Sequence, residues 1–144
     1  MKKILSFLLV LTAAVAVNAA TMIDELTTSS FKIPGKKDSP YALFSATGAS
    51  GAEYKVFAYG TNGKNIQVST KKDGIGIVTT ASNKYVKSVT ITMGQDDKEY
   101  ATSIYASNTA YADPADLKTA TKIAEVSTTK TVTYPFTENY KYVG

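Results

Sequence analysis

Apolar and hydroxyl-bearing side chains alternate from Ser88 to Met93, within a predicted strand that extends from Tyr85 to Met93. The alternating positions are Val89, Ile91 and Met93 on one side and Ser88, Thr90 and Thr92 on the other. A two-residue period of this kind is typical of a half-buried β-strand. Because helical periodicity is nearly absent after the N-terminal segment, and Thr, Ser, Val, Ile and Tyr are abundant, the sequence predicts an all-β fold.

Further strand patterns recur at regular spacing, with turn signals between them. They cover Glu53–Tyr59, Asn65–Thr70, Ile75–Thr80, Glu99–Ala106, Lys122–Val126, Thr129–Tyr134 and Tyr140–Val143. Regular spacing of short strands indicates a β-sandwich or a barrel, and we expect an antiparallel β-sandwich. Asp113 followed by Pro114 has the form of an N-cap with proline at the first helical position, which predicts one short helical turn near 113–118. The segment Ser29–Ser39 is predicted to be an irregular loop.

Six apolar side chains are predicted to lie in one buried core between the two sheets of this sandwich. They are Ile77, Val89, Ile91, Met93, Ile104 and Val132.

The first 20 residues have the order of a secretory signal peptide: basic Lys2 and Lys3, then an apolar stretch, then the small residues Ala19 and Ala20. Val17 and Ala19 suit the small-residue rule for cleavage, so we expect a signal peptide at 1–19 with the cut near Ala19. A membrane anchor is the alternative, but the apolar run is shorter than the roughly 20 residues that cross a bilayer. The expected location is therefore secreted, periplasmic or at the cell surface, without stable membrane insertion.

The remaining chain, 20–144, is predicted to be a single domain without disulfides, since the sequence contains no cysteine. The formal net charge is +4, and every basic residue is lysine. Proteins that bind duplex nucleic acid usually cluster arginine for phosphate and guanine contacts, so no nucleic-acid partner is expected.

Several short runs resemble a known group of domains. They are Gly76–Thr80, Val86–Thr92, Ile104–Tyr105, Ala110–Tyr111, Asp116–Leu117 and Tyr140–Gly144. Together they resemble small jelly-roll-like β-sandwich domains in secreted proteins of anaerobic gut-type bacteria, which occur alone or appended to hydrolases. The resemblance covers most of the chain from about Asp24 onward. It implies a sandwich of the carbohydrate-binding-module type and carries over no catalytic residue.

Two departures from that group stand out. Its members usually have tryptophan where this chain has Met93, and they usually continue past the final Tyr-Val-Gly into a last strand. We therefore expect a domain truncated at its C-terminus, with an open sheet edge next to Tyr140–Gly144 through which the protein could associate with itself or with a partner domain.

The composition restricts the catalytic mechanisms available. Histidine and cysteine are both absent, which removes the Ser-His-Asp triad, the cysteine nucleophile and the usual zinc sites. Asp96, Asp97 and Glu99 crowd one turn and could act as calcium ligands or as the acid and base of a glycosidase. A solvated turn between strands is the simplest interpretation, because the spacing lacks the glycine-punctuated alternation of an EF-hand. No enzyme and no obligatory cofactor are expected.

Ten tyrosines and no tryptophan point toward binding. A tyrosine ring offers a flat apolar face that can stack on a sugar and a hydroxyl that can hydrogen-bond beside it. Tyr54, Tyr100 and Tyr111 lie near predicted turns and are the candidates for exposed ligand-binding residues. The sequence therefore favours an exported non-catalytic module for glycan or another extracellular polymer. A structural or adhesive spacer that packs against a partner domain is the alternative.

Overall fold

The computed structural model describes residues 23–34, 40–59, 66–68, 76–92 and 100–144, and at position 100 the backbone alone. Within these residues the chain forms eight strands and one 3₁₀ turn, Pro114–Lys118. The strands are β1 (Tyr41–Thr47), β2 (Glu53–Tyr59), β3 (Ile77–Ala81), β4 (Val86–Thr92), β5 (Tyr100–Ser107), β6 (Lys122–Thr128), β7 (Thr131–Tyr140) and β8 (Tyr142–Val143). The predicted all-β class and the short helical turn are confirmed, whereas the strand β1 was missed.

The strands form three antiparallel sheets, with the orders β1-β2-β3, β4-β7 and β6-β5-β8. The sheets adjoin one another, because β3 contacts β8 and β6 contacts β7. This arrangement is sandwich-like, as the sequence predicted; closure into two facing sheets and the jelly-roll topology stay predictions.

The β1–β2 hairpin is the most regular part of the fold. The strands pair without a shift from Tyr41 opposite Tyr59 to Thr47 opposite Glu53. The loop between them is closed by a 2.8 Å hydrogen bond from the Gly48 N–H to the Ala52 carbonyl. Even-numbered side chains of β2 are buried and odd-numbered ones point to the opposite face, as the alternation in the sequence predicted.

The main core lies under this hairpin. Phe31 and Ile33, which are 2% and 7% exposed, pack there against Ala46 and Val56. The predicted irregular conformation of Ser29–Ser39 is confirmed for residues 29–34, which form neither strand nor helix, but their burial was not predicted; residues 35–39 lie outside the described residues. Burial of two large apolar side chains, at about 1.5–3 kcal/mol each, fixes this segment against the hairpin even though it is neither strand nor helix.

The predicted core is only partly correct. Ile104 is buried and Ile77 packs against the main core. Val89, Ile91 and Val132 are half-buried on the two-stranded β4–β7 sheet, and Met93 lies outside the described residues. The alternation in β4 identified the apolar face correctly, but a two-stranded sheet covers that face incompletely.

Asp24 connects the N-terminal segment to the tip of the β1–β2 hairpin. Its Oδ1 accepts a 2.7 Å hydrogen bond from the Ser50 N–H, and its Oδ2 accepts from the Ser50 hydroxyl and, at 2.7 Å, from the Tyr54 hydroxyl. A side chain at Gly48 would collide with the Asp24 carboxylate. The hairpin loop is therefore built around this carboxylate.

These hydrogen bonds change the acidity of both partners. Partial burial acts to raise the pKa of Asp24, but the hydrogen bonds from Ser50 and Tyr54 and the charge of Lys84 outweigh it and hold the pKa below its usual value. Burial, followed by the hydrogen bond to Asp24, raises the pKa of Tyr54. The contact is thus an ionised carboxylate accepting from a neutral phenol.

The 3₁₀ turn covers the outward side of β3. Asp113 is its N-cap and accepts a 2.7 Å hydrogen bond from the Ala115 N–H, as predicted. Leu117 lies between Gly76 and Gly144, so closely that a Cβ at Gly76 would be 3.0 Å from Leu117 Cδ1. Val78, beneath Gly144, is fully buried as a result.

The C-terminal residues lie between two strands. Tyr142 and Val143 pair with β5, and Gly144 exchanges backbone hydrogen bonds of 2.8 and 3.0 Å with Tyr105. On the other side, the Val143 N–H donates a 3.4 Å hydrogen bond to Thr79 Oγ1 of β3. β8 is the edge strand of the β6-β5-β8 sheet, so the expectations of an open edge beside these residues and of a missing last strand stay predictions.

The predicted signal peptide, residues 1–19, lies outside the described residues. In the part of the chain that the structure describes, no helix has the length and apolar character needed to cross a membrane.

Candidate functional site

Two of the three tyrosines predicted to be exposed are buried. Tyr54 is 8% exposed because its position in β2 faces the core, and its hydroxyl is engaged by Asp24. Tyr111 is 6% exposed because it packs between the end of β5 and the 3₁₀ turn; burial, and then the charge of Asp116, raise its pKa. The prediction that they are exposed is wrong, and neither ring offers a free face for stacking.

The other predicted site residues are not described. The side chain of Tyr100 and the acidic turn of Asp96, Asp97 and Glu99 all lie outside the described residues. Among the described residues, no three Asp, Glu, His or Cys side chains are grouped so that they could hold a metal ion. The calcium and glycosidase hypotheses for the acidic turn therefore stay predictions.

An aromatic surface lies instead on the outward face of the β1–β2 hairpin. It consists of Tyr41, Leu43, Phe57 and Tyr59, which we call the aromatic platform. Tyr41 pairs with Tyr59 and Leu43 with Phe57 across the two strands. The Tyr41 and Phe57 rings are stacked, with centroids 5.8 Å apart and planes 20° apart, and the Tyr41 and Tyr59 centroids are 5.2 Å apart.

The platform is accessible. Leu43 is 49% exposed, and Tyr41, Phe57 and Tyr59 are partly exposed. The 3₁₀ turn covers the neighbouring part of this face at Val78. The result is a partly exposed group of three rings and one leucine on a regular hairpin, with the Tyr59 ring tilted by 41° from the Tyr41 ring.

Two of the four platform residues could be predicted from the sequence. The alternation in Glu53–Tyr59 places Phe57 and Tyr59 on the face opposite Tyr54, which is the face that the structure exposes. The other half was missed because the run Tyr-Ala-Leu-Phe-Ser-Ala-Thr of β1 has apolar residues at adjacent positions and no clean period. Strand β2 needs an antiparallel partner, and the segment just before the Gly48–Ala52 loop is the nearest one available. That requirement could have indicated β1 and its platform residues.

Beyond Phe57 the same face becomes polar. Ser45 pairs with Lys55, and Thr47 pairs with Glu53. The Lys55 ammonium donates a 2.9 Å hydrogen bond to the Ala112 carbonyl. A cleft of about 530 Å³ opens here. It is lined by Ser45, Thr47, Glu53 and Lys55 of this face, by Ala46 and Tyr54 of the opposite face, and by Ser30, Lys32 and Thr80.

A second, smaller cleft of about 330 Å³ lies beside the 3₁₀ turn, where Ser107, Thr109, Asp116 and Thr119 are among its lining residues. Asp116 Oδ2 accepts a 2.6 Å hydrogen bond from the Ala112 N–H. This carboxylate is therefore part of the local capping structure of the turn.

The β4–β7 sheet has two different faces. One carries half-buried apolar side chains, including Tyr134 and Phe136, whose rings meet edge-to-face at 5.4 Å. The other carries exposed threonine pairs, with Oγ1 atoms 2.9 Å apart for Thr90 and Thr133. Threonine pairs of this kind are ordinary cross-strand contacts.

The hairpin face combines partly exposed aromatic rings with lysine and hydroxyl groups. A partly exposed ring surface can hold an apolar or sugar surface, and the adjoining lysines and hydroxyls can orient polar groups. No family model, curated protein or solved structure matches this chain.

Proposed function

We propose that the protein is an exported, non-catalytic module that binds glycan or another extracellular polymer through the aromatic platform. The observation that carries the proposal is the stack of Tyr41 and Phe57, whose planes differ by 20°, beside Tyr59 on an outward strand face. Partly exposed tyrosine and phenylalanine rings can contact the apolar side of a sugar, and a phenol can also hydrogen-bond to sugar hydroxyl groups. A rigid hairpin holds this surface in place without a ligand, which lowers the entropic cost of binding.

Two features of the sequence support export and the absence of catalysis, which are the other parts of the proposal. The basic, apolar and small residues in order at positions 1–20 favour export. The absence of histidine and cysteine favours binding over catalysis. The resemblance to carbohydrate-binding-module-type sandwiches of secreted proteins agrees with export and with a binding function.

The experiment is retention on insoluble polysaccharides, together with a glycan array, for the wild type and two variants. Phe57→Ala removes the centre of the platform, whereas Tyr85→Ala removes a tyrosine that is 52% exposed and lies outside it. We expect Phe57→Ala to weaken binding about tenfold or more, or about 1.4 kcal/mol, and Tyr85→Ala to leave it unchanged. Correctly folded wild type that binds no sugar, or equal losses in both variants, would contradict the proposal.

A structural or adhesive spacer remains the second candidate, and the apolar face of β4–β7 favours it. Val89, Ile91, Val132, Tyr134 and Phe136 lie on this face and stay half-buried rather than buried. Sedimentation velocity would test it: a spacer that packs against its own copies should form dimers that Phe136→Ser dissociates. A monomer at all concentrations removes self-packing as the function.

A further inference from the structure

The cleft with two lysines adjoins the aromatic platform at Lys55, which lies on the platform's face of the hairpin, while Lys32 lines the cleft from the N-terminal segment. Lys55 precedes Phe57 by two positions along β2, so that the two side chains are about 6–7 Å apart along the strand. A polymer lying along the hairpin over the rings therefore also reaches Lys55. Ser45, which lines the cleft, pairs directly with Lys55 on the neighbouring strand.

Lys32 is fixed in the same cleft by its backbone. Its φ of 52° lies in the left-handed region, which is uncommon for residues other than glycine. The conformation is maintained because the neighbouring Phe31 and Ile33 are both buried in the core and the Lys32 N–H donates to the Ser29 carbonyl. An exposed lysine is thus held beside the cleft by an unfavourable backbone geometry, and such geometry concentrates at binding sites.

Among the described residues, the two lysines of the cleft, Lys32 and Lys55, have no acidic ion-pair partner; the Lys55 contact is with the carbonyl of Ala112. Glu53 is the one acidic residue among those lining the cleft. Two lysines and several hydroxyl groups together favour an anionic group with several oxygen acceptors.

We propose, resting on the binding function above, that the polymer is an acidic polysaccharide. The platform holds a sugar ring, and Lys32 and Lys55 hold a carboxylate or sulfate group of the same chain. Without the expected signal peptide, which carries Lys2 and Lys3, the net charge falls from +4 to +2 and stays positive, which favours the approach of such a polyanion. Single-stranded nucleic acid also combines stacking with negative charge, but the chain has no arginine to fork onto its phosphates.

The experiment compares matched polymers that differ only in charge. Dextran sulfate is compared with dextran, and polygalacturonate with fully methyl-esterified polygalacturonate, in titrations with the full chain. We expect at least one charged polymer to bind ten times more tightly than its neutral partner, and the preference to shrink as salt rises. The pair that shows the preference identifies sulfate or carboxylate as the recognised group.

Variants of individual lysines show which of them cause the preference for charged polymers. Lys32→Gln with Lys55→Gln should abolish the charge preference while leaving residual binding, and Lys55→Arg should retain it. Lys130→Gln, an exposed lysine between β6 and β7, is the matched control and should change nothing. Circular dichroism of each variant establishes that the fold is retained.

The outcomes separate this inference from the proposed function. Equal affinity for charged and neutral polymers, or a preference that survives the double lysine variant, overturns the acidic-polymer inference and leaves platform binding standing. Loss of binding in Phe57→Ala supports the platform independently of charge. Tighter binding to a single-stranded oligodeoxythymidylate than to either acidic polysaccharide overturns the inference in favour of nucleic acid.

Discussion

The Tyr54 hydroxyl donates a 2.7 Å hydrogen bond to Asp24 Oδ2 across 30 positions of sequence. Together with the two hydrogen bonds from Ser50, it fixes the N-terminal segment to the hairpin that carries the aromatic platform. The side chain that the sequence suggested as a ligand contact is therefore a structural anchor, and its burial helps to hold the opposite face of β2 in place.

Asp24→Asn should lower the free energy of unfolding by about 1–3 kcal/mol, because the asparagine NH₂ cannot accept the hydrogen bonds that Oδ2 accepts. Urea denaturation measures the change, and Glu25→Gln, at an exposed neighbouring position, should alter stability by less than about 0.5 kcal/mol. In a double-mutant cycle with Tyr54→Phe, additive losses would show that the two side chains do not act together.

The stabilisation by Asp24 should depend on pH. Since the folded pKa is lowered, the unfolded state binds more protons in acid, so the stabilisation is complete above the unfolded pKa of about 3.9 and is lost as pH falls through the folded pKa. The difference in urea midpoint between wild type and Asp24→Asn should therefore be largest near pH 6 and shrink toward pH 3. A difference that stays constant over this range would mean that the Asp24 charge does not stabilise the fold.

Gly76→Ala should destabilise the protein by about 1–3 kcal/mol. The φ of Gly76 is 143°, which L-residues rarely adopt, and the new methyl group would press on Leu117. Gly51→Ala is the control: its φ of 83° is also unfavourable, but a Cβ there meets nothing within 4 Å, so its loss should be smaller. If Leu117→Ala fails to relieve part of the Gly76→Ala loss, the packing of Leu117 against Gly76 is not the cause.

Local patterns in the sequence predicted local structure well. The period of two in Glu53–Tyr59 and in Tyr85–Met93 located β2 and β4, and the Asp-Pro pair located the 3₁₀ turn with Asp113 as its cap. These features depend on residues within a few positions of one another, which is where propensity and capping operate.

Contacts between distant parts of the chain could not be predicted in this way. Phe31 and Ile33 belong to the main core although their segment has no strand or helix period, because their burial depends on the hairpin that follows. Whether Tyr54 or Phe57 is exposed depends on which face of β2 the N-terminal segment covers, and that segment is placed by Asp24. Both faces carry aromatic residues, so alternation alone could not decide between them.

The most direct test is the response of individual aromatic rings to a sugar ligand, followed by NMR during titration with oligogalacturonate and, as the neutral counterpart, xylohexaose. We expect the ring resonances of Tyr41, Phe57 and Tyr59 to shift and saturate with at least one of these ligands. The rings of Tyr85 and Tyr111 should stay unchanged. No shift in the three platform rings with either ligand, or shifts confined to Tyr134, Phe136 and Tyr140, would contradict binding at the aromatic platform.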